Sequence, residues 1–235
     1  MKPNRTAPPA GVLWLESPDF AALDSIAQRP TPFVLWPVGP RSVLAHWMDE
    51  AVRRNVAEVR VIAFDRPHLI RATLGSGSYW SRHVTVYSQR PDDAPAQIEV
   101  MDHLPGAPAS APPTDGTTLL RHWLGLQRAW LETQSRHGFT IDIRHPSGAW
   151  IGPKTRIHPT ARLIPPCWIG AHAEIGAHAE IGPHATVGEH SVVDEGASVR
   201  DGAILAATYV GPKVNVTSML ADGAILLDAA RGTRV

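Results

Sequence analysis

Four histidines, His172, His178, His184 and His190, recur every six residues. Imidazole is the side chain that titrates nearest neutral pH, so each could act as a general base or hold a borderline metal ion. The spacing decides which of them can act together. A chain that turns a corner every six residues and closes a coil every eighteen puts His172, His178 and His184 on three different faces, where no single tetrahedral centre can gather them. His172 and His190 share a face, with Lys154 below and Thr208 above, and this pair is the candidate metal or interface site. Two histidines cannot close a zinc shell without ligands from elsewhere.

Lysine occurs only at Lys2, Lys154 and Lys213, so nothing between Pro3 and Pro153 can supply a lysine ammonium to a phosphate. Arginine neutralises phosphate, though its planar fork differs from the point charge of an ammonium. Asp102, in Val100-Met-Asp-His-Leu104, has a proline-rich setting and no second placed carboxylate, and it reads as a loop acid. Cys167 is the single cysteine, so it forms no internal disulfide, and its small-residue position in the repeat favours packing.

The histidines lie in a stretch that repeats from Ile151 to Val210. Aliphatic residues stand at Ile151, Ile157, Leu163, Ile169, Ile175, Ile181, Val187, Val193, Val199 and Leu205, and mostly small residues such as Ala173, Ala179 and Ala185 follow four positions later. A period of six fits neither an α-helix nor a plain strand. It fits a solenoid in which each flat segment points one branched side chain inward and residues eighteen apart stack at about 4.8 Å. Ile151, Ile169, Val187 and Leu205 then form one ladder, and the frame slips by one residue only after Val210. Glycines at Gly152, Gly170, Gly176, Gly182 and Gly188 mark tight backbone near the corners. On these residues the stretch resembles the left-handed parallel β-helix of the hexapeptide-repeat superfamily, and the domain is expected over 141–235. A short solenoid leaves open ends and flat faces, so a homo-oligomer through the β-helix is expected. Hexapeptide acyltransferases use a histidine as general base at a subunit boundary; these hexads carry no protruding loop to hold a donor and an acceptor.

Upstream the texture changes. Val12–Leu15 reads as a strand, and Val43, Leu44, Trp47, Met48, Ala51 and Val52 mark one face of a helix ending near Asn55. A strand at Val59–Ala63, a helix starting at Asp65-Arg-Pro67 and reaching Leu74, and a strand at His83–Tyr87 follow, which implies a parallel α/β sheet over 10–90. Residues 91–116 are crowded with Pro, Ala, Asp and Gly and read as a loop or linker. Leu119, Leu120, Trp123, Leu124, Trp130 and Leu131 mark a connecting helix within 117–140, with Arg121, Gln127, Arg128 and Glu132 on its wetter side. That helix either plugs the open end of the solenoid or packs on the first domain. Trp168, beside Ile169, should point outward and is a candidate subunit contact.

The run Arg29-Pro-Thr-Pro-Phe-Val-Leu-Trp-Pro-Val-Gly39, the helix around Leu44 to Arg54 and the strand that follows resemble the sugar-nucleotide pyrophosphorylases, or sugar-phosphate nucleotidyltransferases. Many of these carry a C-terminal left-handed β-helix. The implied fold is a small nucleotidyltransferase-like, Rossmann-like parallel sheet domain followed by that solenoid. The family's glycine-rich nucleotide loop should follow the first strand, where backbone amides can approach phosphates. Here that position reads Glu16-Ser-Pro-Asp-Phe-Ala-Ala-Leu-Asp-Ser25, with no glycine and three carboxylates, and the expected lysine is Thr31. The resemblance therefore implies a truncated, catalytically degenerate nucleotidyltransferase-like protein with a regulatory or scaffolding role in sugar-nucleotide or polysaccharide metabolism. It implies a sugar-nucleotide ligand, pairing with an active paralogue, and no cofactor. Two alternatives are enzymes. One is an active sugar-phosphate nucleotidyltransferase that uses Mg and Arg29 or Arg41; the other is a hexapeptide-repeat acyltransferase.

Lys and Arg total 22 and so do Asp and Glu, which gives no bulk attraction to nucleic acid or to an anionic membrane. No apolar run reaches membrane-spanning length and the N-terminus has no signal-like core, so a cytoplasmic location is expected.

Overall fold

A computed structural model of the chain describes residues 11–133, 143–223 and 225–235. The end of the expected connecting helix lies outside these residues. The described chain divides into two compact units, one made of residues up to 22, 29–36 and 42–110, the other of residues 23–28, 37–41 and those from 111 onward.

The first unit is built on four parallel strands in the order His83–Tyr87, Glu58–Ala63, Val12–Ser17 and Glu99–Val100. Val59 lies between Leu13 and Val84 in the register, and all three are buried, as alternation on a half-covered strand requires. Helix α1 (Val43–Arg53) begins at Ser42, whose Oγ accepts from the Ala45 N–H at 3.2 Å. Its buried residues Val43, Leu44, Trp47, Met48 and Ala51 are the stripe that helical spacing predicts, and Asn55 beyond its end takes a left-handed φ of 54°. Helix α2 (Pro67–Leu74) opens on a proline, where a missing N–H costs nothing, and stops at Gly75. The expected parallel sheet is present. The linker expected over 91–116 nevertheless contributes the strand Glu99–Val100, which pairs with Leu15 and Glu16 and is too short to leave a periodic signal.

The second unit is a parallel β-helix. Its three parallel runs stack Arg156–Ile157, Glu174–Ile175, Val192–Val193 and Tyr209–Val210 in one, and Arg162–Leu163, Glu180–Ile181, Ser198–Arg200 and Asn215–Thr217 in the next. The third holds Trp150–Ile151, Cys167–Ile169, Ala185–Val187, Ala203–Ile204 and Met219–Asp222. Antiparallel strands close this third sheet at both edges, Ile143–Arg144 on one and Ile225–Asp228 with Thr233–Arg234 on the other. Inside, Ile169, Ile175, Ile181, Val187, Val193 and Val199 pack with Ala173, Ala179, Ala185 and Ala197, as the hexads predict.

The register departs from the expected ladder one hexad early. Ile151, Ile169 and Val187 are paired at intervals of eighteen, but Val187 pairs with Ile204, Val193 with Val210 and Val199 with Val216, each seventeen apart. The coil is shortened at Arg200-Asp201-Gly202, so Ile204 replaces Leu205 in the ladder. Adjacent aliphatics at 204 and 205 let either frame fit one hexad. The contrary signal was Tyr209, which an unslipped count assigns to an inner corner and which is 59% exposed.

Helix α3 (Gly116–Thr133) runs along the flank of the solenoid within this unit and does not plug its end. Trp130 meets Trp168 edge to face, with ring centroids 5.6 Å apart. Trp168 is therefore buried under α3 and is not the free subunit contact its outward position suggests. Gln127 is also buried and is not on the wet side: it accepts from the Gly39 N–H at 3.0 Å and donates to the Pro37 carbonyl at 2.7 Å. No helix among the described residues is long and apolar enough to cross a membrane.

Candidate functional site

The four histidines occupy equivalent corners of the solenoid with left-handed backbone, at φ 58° for His172, 57° for His178, 52° for His184 and 57° for His190. Lys154, Asp201, Ala207 and Lys213 share that conformation. Histidine enters it more readily than β-branched residues do, so the recurrence answers a backbone requirement first. What each ring meets then differs. His172 and His190 stack with centroids 4.7 Å apart and planes 5° from parallel. Because of the short coil, the corner above His190 belongs to Ala207 and not to Thr208. His178 is exposed.

His184 is half-buried and meets three charged groups. Its Nδ1 lies 3.2 Å from Arg128 Nη2 and 3.4 Å from Asp201 Oδ1, and its Nε2 lies 3.7 Å from Glu132 Oε1. Arg128 Nη2 also donates to Asp201 Oδ1 at 2.5 Å. The seventeen-residue coil is what places Asp201 here: its N–H bonds to the Pro183 carbonyl, so it stands in the column above His184, where an eighteen-residue coil would put Gly202. From the other side α3 presents Arg121, Gly125, Arg128 and Glu132 on one stripe, as spacings of three and four dictate. Arg121 donates to the carbonyls of Ala229 and Ala230 at 2.9 and 2.7 Å. Between helix and solenoid lies a groove of about 480 Å³ whose lining includes Arg121, Gly125, Arg128, His184, Asp201 and Ser218. Arg128 can only donate, so Nδ1 accepts from it as the groups stand; Nδ1 can carry its proton towards Asp201, leaving Nε2 as the basic atom, only when Arg128 turns away from it. Sequence reasoning named Arg128 and Glu132 only as a wet helix face and missed Asp201, because the unslipped frame gave it no special place.

None of the other candidates is among the residues lining this groove. Arg29 belongs to the first unit, its guanidinium 5.6 Å from the Trp36 ring centroid and its carbonyl bonded to Arg66 at 2.9 Å; Arg41 belongs to the second. Asp102 pairs with His103 at 2.6 Å. Cys167 is fully buried, and burial pushes its thiol up to about 12. Among the described residues, no group of three or more His, Cys, Asp or Glu is arranged to hold a metal ion.

Compared with protein-family models, residues 148–183 match the bacterial transferase hexapeptide (six repeats). No curated protein matches the chain. Similar solved structures include the acetyltransferase domain of PglB from Neisseria gonorrhoeae in complex with acetyl coenzyme A, at 13% identity over 69% of this chain and 94% of that one, with a TM-score of 0.21. Another is a point mutant of perosamine N-acetyltransferase from Caulobacter crescentus in complex with CoA and GDP-perosamine, at 17% identity over 70% and 92%, with a TM-score of 0.18. Likeness of this extent carries no argument about activity. The expectation of a degenerate nucleotidyltransferase with a regulatory or scaffolding role is nevertheless corrected. The matching family model is the bacterial transferase hexapeptide and not a nucleotidyltransferase.

Proposed function

We propose that the second unit is an acyltransferase of the hexapeptide-repeat kind, moving an acyl group from a thioester to an amine or hydroxyl acceptor, with His184 as general base. The observation that carries this is the His184–Asp201 pair on the wall of a groove that α3 closes. The helix supplies the confining wall that the hexads, having no protruding loop, lack. The transferase-hexapeptide match supports the class of reaction. In the reaction His184 Nε2 accepts the acceptor's proton as its nitrogen or oxygen attacks the thioester carbonyl carbon. The new C–N or C–O bond forms, the C–S bond breaks, and the sulfur leaves with a proton as free thiol. When Arg128 turns from Nδ1 to a bound donor, Asp201 holds the imidazole in the required tautomer. Arg128 puts positive charge on the groove wall, where a donor phosphate or the developing oxyanion would meet it. A left-handed coil and association of β-helices into a homo-oligomer belong with this proposal.

The test is release of free thiol from acetyl-CoA in the presence of a panel of amino sugars and nucleotide-linked amino sugars. Cys167 is buried and adds no background to a thiol assay on folded protein. An acceptor-dependent rate that falls by about 10²-fold or more in His184→Asn is expected. Thiol release no faster than acetyl-CoA hydrolysis with every acceptor would reject the assignment.

A further inference from the structure

The stacked pair His172 and His190 lies outside the groove and has no part in the transfer just described. Each ring projects from a left-handed corner, and each corner is tied to the coil below, His172 N–H to the Pro153 carbonyl at 3.0 Å and His190 N–H to the Ala171 carbonyl at 2.9 Å. Both side chains are exposed. His145, His158 and His184 each have a polar side-chain partner at a ring nitrogen, whereas among the described residues the rings of His172 and His190 have only each other.

We propose that His172 and His190 form a two-histidine site for a borderline divalent cation such as Zn²⁺, with water completing the coordination. Neutral imidazole is a preferred ligand for this class of ion, and its nitrogens bind zinc at roughly 2.0–2.1 Å. Two nitrogens in one such shell must therefore lie about 3–4 Å apart. The parallel rings, with centroids 4.7 Å apart, hold their nitrogen lone pairs side by side, so both exposed side chains must turn about χ1 and χ2 until their planes converge on one ion. The solenoid has fixed both backbones, so the cation orders two side chains and no chain segment. His178 and His184 stand at other corners and cannot join the pair, which makes the site a property of one column.

Calorimetric titration of the metal-free full-length chain with Zn²⁺ alone, at a mildly alkaline pH, tests the proposal. Asparagine tolerates left-handed backbone, so His172→Asn and His190→Asn keep their corners while removing the imidazole; circular dichroism checks that each variant is folded. One Zn²⁺ per chain is expected, weakened at least about tenfold by either substitution, equivalent to 1.4 kcal/mol, and unaffected by His178→Asn. Absence of Zn²⁺ binding in the unsubstituted chain overturns the proposal, and so does binding that survives both substitutions. Neither result bears on His184 or on acyl transfer.

Discussion

Arg128 and Asp201, 73 residues apart, meet at 2.5 Å and join α3 to the corner directly above His184. Their side chains are 52% and 40% exposed, and an ion pair that open stabilises a fold by only about 0–1 kcal/mol. A role in positioning the His184 ring separates activity from stability. Asp201→Asn is expected to change the unfolding free energy by less than about 1 kcal/mol and to lower the rate of acyl transfer by at least about tenfold. Denaturant unfolding and initial rates on the same preparation decide between the two roles. Equal, small effects on both would leave the pair a surface tie and nothing more.

Cys167 is the only thiol, and burial pushes it up to about 12 from an ordinary 9.0. Since the thiolate is the reactive form, a disulfide reagent should leave the folded chain unmodified at pH near 8 and modify it once denaturant is added. The sign of the linkage follows from the same burial. The folded state holds its proton where the unfolded state has lost it, so this group's contribution is intact below about 9 and is lost as pH rises towards 12. Cys167→Ala should remove that alkaline slope. Rapid labelling of the folded protein would refute the burial.

Sequence reading recovers the strand and helix order of the first unit because Val43 to Ala51 and Val59 to Ala63 carry full periods of their elements. It recovers the solenoid because the inward aliphatics repeat, yet it misses the short coil, since Ile204 and Leu205 satisfy either frame equally. That one residue of slip controls the candidate site: it alone brings Asp201 into the His184 column. The partners on α3 were visible as charges but not as neighbours of the repeat, because no local pattern shows which flank of a solenoid a helix covers. Trp168 illustrates the limit: its outward direction is set by its neighbour Ile169, whereas its burial is set by Trp130, thirty-eight positions away.

Glu50 is 6% exposed and accepts from Arg53 Nε at 2.7 Å and from Arg54 Nε at 2.6 Å. Burial pulls its carboxyl upward, but the hydrogen bonds and charges of Arg54 and Arg53 outweigh it and hold the group below its ordinary 4.5. A depressed carboxyl stabilises the fold above 4.5, and the contribution fades as pH falls through the lower folded value. Glu50→Gln should therefore destabilise the neutral protein by about 1–3 kcal/mol and make unfolding less steep in acid. Unfolding curves measured at neutral pH and at pH near 3 check both; identical losses at the two values would contradict the linkage.

Two glycines should respond to alanine with opposite signs. Gly176 has an ordinary φ, so its need for hydrogen is spatial: a Cβ there would lie 2.8 Å from the Glu195 nitrogen and 2.9 Å from the Asp194 carbonyl carbon, backbone atoms of the next coil. Backbone held in a parallel ladder cannot step aside, and Gly176→Ala is expected to destabilise the solenoid by about 1–3 kcal/mol. Gly125 sits within α3 with nothing inside 4 Å of its would-be Cβ, and it lines the groove beside His184. There alanine removes the glycine's excess chain entropy and should stabilise the fold by about 0.5–1 kcal/mol. The added methyl also narrows the groove, so Gly125→Ala should raise the melting temperature while raising KM for the larger acceptors. A variant that gains stability and leaves every KM unchanged would show that acceptors do not enter between α3 and the solenoid.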